Sequence, residues 1–268
     1  MADSVIERNN VRVVGTGTQP MLFAHGFGCD QNMWRFIIPA FEDKYKIVLF
    51  DYVGSGKSNH ASYNPERYSS LYGYAQDVIE ICEVLHLRDV IFVGHSVSSM
   101  IGLLASIQKP AIFSRLIMVG PSPCYLNIDG YSGGFARSDI ESLLETMEKN
   151  YIGWANFLAP AIMGNADRPE LGAELTTSFC STDPVIAKQF AEVTFFSDNR
   201  KDVRNAPVPS LILQCSEDII APTNVGEYLA REMPGSKLVY LEATGHCPHM
   251  SAPEETIARI LEYLQPAL

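Results

Sequence analysis

The chain has 268 residues, of which 47% are hydrophobic and 19% charged, and its formal net charge is −11. This length suffices for one large α/β domain or two small ones with a buried core. The acidic balance argues against a nucleic-acid-binding protein, which is normally basic, and against a protein that binds anionic membrane surfaces.

Six cysteines are scattered along the chain without a C-x-x-C pair. Closely spaced soft ligands are typical of a zinc site, so the sequence predicts no metal. The first residues carry an aspartate and no apolar segment follows them, so we expect no secretory signal. No apolar run approaches the roughly 18 residues of a membrane helix. We therefore expect a cytoplasmic protein with reduced thiols.

Short apolar runs that alternate with helical patterns predict a sheet of mostly parallel strands. Residues 11–14 lead into Gly15-Thr16-Gly17, which indicates an opening antiparallel hairpin. Near-continuous apolar runs are typical of strands that are buried on both faces between helices. The further predicted strands are Met21–Ala24, Ile47–Phe50, Val90–Val93, Leu116–Val119, Leu211–Leu213 and Leu238–Leu241.

A serine stands at the most informative junction of the chain. The apolar run 90–93 is followed by Gly94-His95-Ser96-Val97-Ser98 and then by an apolar helical segment that starts at Met100. This pattern predicts a strand, a sharp turn with Ser96 at its tip, and a helix whose first backbone N–H groups point towards whatever the serine attacks.

Residues 124–196 interrupt the alternation of strands and helices. Helical patterns replace strands there, and six of the thirteen phenylalanines of the chain lie in this stretch. We predict a helical lid over the carboxyl ends of the strands, where open α/β sheets bind ligands, inserted in a core formed by residues 1–123 and 197–268. The predicted lid helices are Ser138–Asn150, which carries a capping box Ser138-x-x-Glu141, Ile152–Met163, Glu170–Phe179 and Pro184–Phe195.

Two further side chains complete a candidate catalytic triad with Ser96. Asp218 follows the predicted strand 211–213, and His246 follows the last predicted strand. The order serine, acid, histidine, each after a different strand, matches hydrolases with a nucleophile elbow, in which histidine is the base and the acid orients it. We interpret His249 as a packing residue and His95 as a support for the turn.

The oxyanion of such a reaction needs two hydrogen-bond donors. His25-Gly26-Phe27-Gly28 follows the strand 21–24, and its glycines allow the Phe27 N–H to face Ser96; the Val97 N–H is the second donor. The phenylalanine-rich lid predicts an apolar substrate pocket. The residues that we expect around it are Phe27, His95, Tyr125, Phe135, Trp154, Phe157 and Phe195.

Over essentially its whole length the chain resembles the α/β-hydrolase superfamily. The segments that carry this resemblance occur in the order HGFGCDQNMW, FDYVGSGKS, GHSVSSMIG and GHCPHMS. Ser98 departs from the superfamily pattern, which usually has a second glycine there. Within the superfamily the chain resembles the group of RsbQ and the plant strigolactone and karrikin receptors. Segments similar to the bacterial RsbQ branch are MVGPSPCYLN, GGF, MEKNYIGWA, FCSTDPVIA and FFSDNR.

The resemblance implies a mostly parallel eight-stranded sheet flanked by helices, a four-helix lid and a deep, closed apolar pocket. It implies a serine hydrolase of a small hydrophobic ester or lactone-like compound, without cofactor, that acts as a positive regulator of a bacterial stress response beside a partner phosphatase of the RsbP type. One alternative is a ligand receptor with slow or incidental hydrolysis. Another is a cofactor-free perhydrolase or a carbon–carbon hydrolase.

Overall fold

The computed structural model describes residues 4–265, and within them a seven-stranded sheet forms the centre of the fold. Its order is β1-β3-β2-β4-β5-β6-β7, with β1 antiparallel to β3 and every other neighbouring pair parallel. The strands are β1 Arg12–Val14, β2 Gln19–Ala24, β3 Tyr45–Leu49, β4 Val90–His95, β5 Phe113–Val119, β6 Ser210–Glu217 and β7 Ser236–Thr244.

Helices cover both faces of this sheet. Those in the described residues are α1 Val5–Arg8, α2 Leu71–Val84, α3 Val97–Gln108, α4 Arg137–Lys149, α5 Tyr151–Met163, α6 Pro169–Cys180, α7 Pro184–Phe195, α8 Thr223–Glu232, α9 Pro248–Ser251 and α10 Pro253–Leu264. None of them combines the length and the apolar composition that a bilayer crossing needs.

The strands are buried on both faces because they are apolar at successive positions. Side chains alternate between the faces of a strand, so Met21 and Phe23 of β2 belong to one hydrophobic cluster, whereas Leu22 and Ala24 belong to the other. The cluster around Leu22 is completed by α2 and α3, and the cluster around Met21 is completed by Trp34 and the lid. This two-sided burial confirms the predicted α/β-hydrolase fold.

The start of the chain differs from the prediction. The described residues contain seven strands instead of eight, and β1 pairs with β3 at the register Val13 to Val48 instead of forming a hairpin with β2. Gly17 explains the pairing, because a Cβ there would lie 2.0 Å from the Lys44 carbonyl oxygen. The connection therefore runs against the entry to β3. Residues 5–8 form α1, for which the sequence made no prediction.

Helices α4 to α7 lie between β5 and β6, where the sequence predicts the lid. Their bounds agree with the predicted segments to within two residues at either end. The N-terminal cap of α4 differs from the prediction. The Asp139 carboxylate accepts a hydrogen bond from the Ala136 N–H at 2.9 Å. The helix therefore begins behind Ala136, and the predicted pair Ser138 and Glu141 does not cap it.

A buried carboxylate attaches the N-terminal segment to α2. Asp77 is fully buried, and its Oδ1 accepts hydrogen bonds from Arg8 at 2.8 Å and Arg67 at 2.6 Å. Its Oδ2 accepts from Asn9 at 3.1 Å and from the Tyr68 hydroxyl at 2.9 Å. Burial raises the pKa of this carboxyl, although Arg8, Arg67 and Asn9 act in the opposite direction. Its loss would leave two arginines without their buried partner.

We expect Asp77→Ala to lower the free energy of unfolding by about 3–5 kcal/mol, because the substitution breaks a buried charge network. Urea unfolding measures the change. The matched control is Glu83→Ala on the same helix, whose carboxylate pairs with Lys109 at the surface and whose loss costs at most about 0.5 kcal/mol. Equal destabilisation by the two substitutions would contradict a special role for Asp77.

Candidate active site

Ser96 lies at the turn between β4 and α3 with a backbone conformation that is rare for an L-residue. Its φ is 56° and its ψ is −124°, and such strain is characteristic of functional turns. Its N–H donates a hydrogen bond to the Val119 carbonyl oxygen at 2.8 Å. A Cβ at position 94 would lie 2.7 Å from the Ser98 backbone, so the turn requires Gly94. The turn directs the Ser96 hydroxyl into a cavity beneath the lid.

The structure brings Ser96, His246 and Asp218 together. His246 Nε2 lies 2.8 Å from Ser96 Oγ, and His246 Nδ1 lies 2.6 Å from Asp218 Oδ2. The other carboxylate oxygen accepts the N–H groups of Ile220 and Ala221 at 2.8 and 3.1 Å. With the carboxylate as acceptor, the Nδ1–H donates to it and Nε2 is free to accept the serine proton.

The surroundings of Asp218 keep its carboxyl ionised. Burial raises its pKa, but the neighbouring His246 and the two backbone N–H groups outweigh burial and hold the pKa below its usual value. Gly120 makes room for this arrangement, because a Cβ there would lie 3.2 Å from the imidazole ring. The pair is therefore arranged to stabilise an imidazolium that forms during a reaction.

The loop that carries the histidine is attached to the lid. The His246 N–H donates to the Ile162 carbonyl oxygen at 2.9 Å, and the Gly245 N–H donates to the Glu217 carbonyl oxygen at 2.7 Å. A Cβ at position 245 would lie 1.9 Å from the Met163 carbonyl oxygen, so only glycine fits there. The end of α5 therefore fixes the backbone that positions the imidazole.

The predicted oxyanion loop, residues 25–28, follows β2 and is held by hydrogen bonds that the sequence did not reveal. The Tyr52 N–H donates to His25 Nε2 at 3.1 Å, and the Ser98 hydroxyl donates to the His25 carbonyl oxygen. The Tyr52 hydroxyl lies 2.9 Å from the Ser98 hydroxyl. Ser98, the departure from the superfamily pattern, thus links α3 to the loop that places Phe27 beside Ser96 in the cavity. A small polar residue at that position was the only sequence signal for this link.

The cavity over Ser96 is small and mostly apolar. Its volume is about 30 Å³, so the cavity is narrow, and the depth of the pocket stays a prediction. The cavity is narrow because aromatic side chains of the lid pack directly against the oxyanion loop. The residues that line it are Phe27, Cys29, His95, Ser96, Tyr125, Ile162, Leu175, Phe179, Thr194, Phe195, Ile220, His246 and Cys247.

Four of the seven predicted pocket residues line this cavity, namely Phe27, His95, Tyr125 and Phe195. Trp154 and Phe135 lie behind it, with ring centroids 6.2 Å from Phe27 and 6.2 Å from Phe195, respectively.

The prediction that Phe157 lines the pocket is wrong, because 76% of the surface of this residue is exposed. The buried stripe of α5 runs through Trp154, Ala155, Leu158 and Ile162, and Phe157 lies on the opposite side of the helix. Among the lining residues that the sequence analysis missed, Ile162 and Phe179 were visible only as apolar positions of predicted lid helices.

Phe27 connects the oxyanion loop with the lid. Its ring lies 5.6 to 6.3 Å, between centroids, from the rings of Trp154, Phe179, Phe190 and Phe195, in tilted or edge-to-face geometry. Such aromatic pairs contribute roughly 0.5–1.5 kcal/mol each beyond area burial. The same contacts that close the lid therefore hold one predicted oxyanion donor in place.

The fold, together with a serine at a strand–helix turn that is hydrogen-bonded through histidine to aspartate, defines an α/β-hydrolase. The profile of the alpha/beta hydrolase family matches residues 21–259, and the chain belongs to this family.

Among relatives, the chain is 39% identical to a karrikin insensitive 2 receptor of Petunia hybrida over 97% of each chain. It is 38% identical to a strigolactone esterase of Arabidopsis thaliana over 99% of this chain and 98% of the relative. Among solved structures it is similar to a hydrolase from Oleispira antarctica, with 47% identity, a TM-score of 0.95 and coverage of 98% of this chain and 97% of that one.

Two buried histidines near the site predict that acid destabilises the protein. Burial lowers the pKa of His95 to about 3, and the neighbouring His246 lowers it too. Burial also lowers the pKa of His25, although the Asp51 carboxylate acts in the opposite direction. The unfolded chain takes up protons near pH 6.5 and the folded one does not, so stability is complete above pH 6.5 and falls as the pH drops from 6.5 towards 3.

Within that window the His95 ring costs about 1.4 kcal/mol per pH unit, and His25 acts in the same direction. We expect the melting temperature to fall steadily between pH 6.5 and pH 4.5. His95→Asn reduces the slope, whatever it does to stability at pH 7.5, whereas His86→Asn, at an exposed position, leaves the slope unchanged. Parallel slopes for the wild type and His95→Asn would contradict this assignment.

Proposed function

We propose that the protein is a serine hydrolase that cleaves a small hydrophobic ester or lactone. Ser96 is the nucleophile, His246 the general base and Asp218 the acid that orients it. The observation that carries the proposal is the unbroken pair of hydrogen bonds, 2.8 Å from serine to imidazole and 2.6 Å from imidazole to carboxylate. Membership of a hydrolase family supports it.

In the first half of the reaction, Ser96 Oγ attacks the carbonyl carbon while its proton moves to His246 Nε2. The carbonyl oxygen becomes an oxyanion, for which the Phe27 and Val97 N–H groups are the proposed donors. The bond to the leaving oxygen then breaks, and the imidazolium returns its proton to that oxygen. An acyl group remains on Ser96.

In the second half, a water molecule takes the place of the leaving alcohol. His246 removes one proton from this water, the resulting hydroxide attacks the acyl carbon, and the Ser96 oxygen leaves with the proton from the imidazolium. A carboxylic acid is released. For a lactone the alcohol and the acid are parts of one molecule, so ring opening produces a single hydroxy acid.

The small size of the cavity supports the proposed substrate class of small, apolar esters and lactones. An apolar space of about 30 Å³ accepts a short acyl group only when the aromatic side chains around it shift. Because Phe27 contacts several lid rings, substrate entry requires the lid and the oxyanion loop to move together. Small, apolar esters and lactones demand the least rearrangement.

The biological role is a separate part of the proposal. The resemblance to RsbQ favours a regulator of a bacterial stress response that acts with a phosphatase of the RsbP type. The identity of about 39% with a karrikin receptor gives stronger support to the alternative, a ligand receptor with slow hydrolysis. A perhydrolase would use the same triad but transfer the acyl group to hydrogen peroxide instead of water. A carbon–carbon hydrolase would keep water and break a carbon–carbon bond instead of a carbon–oxygen bond.

We expect Ser96→Ala to lower kcat for p-nitrophenyl acetate by about 10⁴-fold, because the only proposed nucleophile is lost. Intact-protein mass spectrometry of the wild type shows an acetyl adduct that Ser96→Ala lacks. The control is Ser106→Ala on the same helix, whose hydroxyl only bonds the Leu103 carbonyl oxygen. Undiminished turnover in Ser96→Ala would refute the proposal.

One experiment separates the enzyme from the receptor. A synthetic butenolide is mixed with the protein, and product release is followed beside the melting temperature and the binding of an RsbP-type phosphatase. Multiple turnovers without an effect on the phosphatase support the enzyme. A single turnover that changes phosphatase binding supports the receptor, since a ligand recruits a partner only by favouring one conformation.

We expect Phe195→Ala to shift the acyl preference from acetate towards hexanoate, because it removes a ring that fills the cavity. The kcat/KM for the hexanoate ester, divided by that for the acetate ester, rises by about 10-fold or more. This change is within the range that a few methylene groups produce in an apolar pocket. Phe157→Ala, on the exposed side of the lid, leaves the ratio unchanged. The same shift in both variants would contradict the assignment of the cavity.

A further inference from the structure

Three side chains of metal-binding type are buried together next to the triad. Single nitrogen or sulfur atoms of His95, Cys247 and His249 all lie within 4.8 Å of one another, and all three residues are buried. His95 comes from the end of β4, and the other two come from the loop and short helix after β7. The proposed triad uses none of them.

His95 has one ring nitrogen that is available to a ligand. Its Nε2 lies 2.8 Å from the His246 carbonyl oxygen, and a carbonyl oxygen only accepts hydrogen bonds, so the ring proton is on Nε2. Nδ1 therefore keeps its lone pair, and within residues 4–265 it has no hydrogen-bond partner. A Cβ at position 26 would lie 2.4 Å from Nδ1, so Gly26 keeps a side chain away from this atom.

His249 has an even more unusual environment than His95. It is fully buried, and neither of its ring nitrogens has a hydrogen-bond partner among the described residues. Its ring centroid lies 4.6 Å from that of Trp34 and 4.5 Å from that of His95. A buried polar group without a partner costs roughly 1–3 kcal/mol, and a bound ion would remove this cost. An ordered water molecule is the competing explanation.

The donors define the class of ion. Two imidazoles and one thiol suit Zn²⁺ and Cu⁺, whereas Mg²⁺ and Ca²⁺ need oxygen ligands, which the cluster does not contain. Ligand atoms around tetrahedral zinc are roughly 3.3–3.6 Å apart, given zinc bonds of about 2.0–2.3 Å. Donors within 4.8 Å of one another reach this spacing through small side-chain rotations, and the His249 ring has no hydrogen bond to give up.

We propose that His95, Cys247 and His249 form a binding site for a thiolate-binding ion, Zn²⁺ or Cu⁺, and that Zn²⁺ bound there inhibits the neighbouring triad. On binding, the Cys247 thiol loses its proton to solvent and forms one sulfur–metal bond, while each histidine forms one nitrogen–metal bond. No electron is transferred. His95 and Cys247 also line the cavity over Ser96, which provides space for a water molecule as fourth ligand.

The inhibition follows from charge, and this part rests on the proposed hydrolase function. The His95 and His246 ring centroids are 4.9 Å apart. In the transition state His246 becomes an imidazolium. A Zn²⁺ ion with its Cys247 thiolate ligand keeps a net charge of +1 next to this imidazolium and raises the energy of that state. A Cu⁺ ion with the same thiolate leaves the site neutral, so inhibition is expected for Zn²⁺. The His246 carbonyl oxygen also accepts a hydrogen bond from His95, which is one of the proposed metal ligands. Metal binding to His95 therefore also affects the backbone of the proposed base.

The test starts from metal-free protein, to which Zn²⁺ alone is added in competition with a chromophoric chelator. We expect one tightly bound ion per chain, release of one proton per ion, and a sulfur-to-cobalt charge-transfer band when Co²⁺ replaces Zn²⁺. Cys247→Ser and His249→Asn each weaken binding by about 100-fold or more, since even outer-shell changes cost about 10–100-fold. The controls Cys82→Ser, a buried thiol of α2, and His86→Asn, an exposed histidine, bind as the wild type does.

The outcomes separate the site from its effect. Binding that survives in both Cys247→Ser and His249→Asn, or no binding of either ion, overturns the site and supports a buried water molecule at His249. A Cu⁺ titration under reducing conditions decides between the two ions. Thermal melts show that each variant is folded, and a failure of one of them to fold leaves the other to decide.

Activity is measured in parallel with p-nitrophenyl acetate. We expect stoichiometric Zn²⁺ to reduce kcat by about 10-fold or more in the wild type and not in Cys247→Ser, with recovery after a chelator is added. A bound ion without loss of turnover overturns the inhibitory role. A wild type without esterase activity refutes the proposed function, whereas the binding stoichiometry and the cobalt spectrum still decide whether the metal site exists.

Discussion

The left-handed backbone at Ser96 is the constraint on which the site depends. A residue with φ of 56° between a buried strand and a buried helix is tolerated only because its surroundings hold it. The Val119 carbonyl receives its N–H, Gly94 allows α3 to approach β4, and Ser98 attaches the first turn of α3 to the loop before Phe27. One strained turn thereby fixes the nucleophile and the start of α3 against the predicted oxyanion loop.

The lid supports the backbone of the proposed base, His246. The last turn of α5 accepts the N–H of His246, and the lid phenylalanines surround Phe27. A movement that opens the cavity therefore changes the support of the imidazole and of a proposed oxyanion donor at once. Such coupling would allow the proposed receptor role, in which a ligand favours one arrangement of the lid over another.

The core was largely readable from the sequence, because apolar runs and helical periodicity are local properties. The bounds of the lid helices and the chain order of Ser96, Asp218 and His246 are local in the same sense, and the structure places these side chains in hydrogen-bond contact. Phe157 was misplaced because composition does not tell which side of α5 faces the core. The opening strand lies where it was predicted, but its pairing was wrong, because Val13 pairs with Val48, which is distant in the sequence.

By itself the sequence determined the α/β class, the strand–turn–helix around Ser96 and the residue types available for chemistry, because these depend on neighbours along the chain. The tertiary structure alone decided the distances between strand ends, the small volume of the cavity, the link from Ser98 to the His25 carbonyl, and the meeting of His95 with Cys247 and His249. Each of these features depends on residues that are far apart in the sequence, and only the packing of the folded chain brings such residues together.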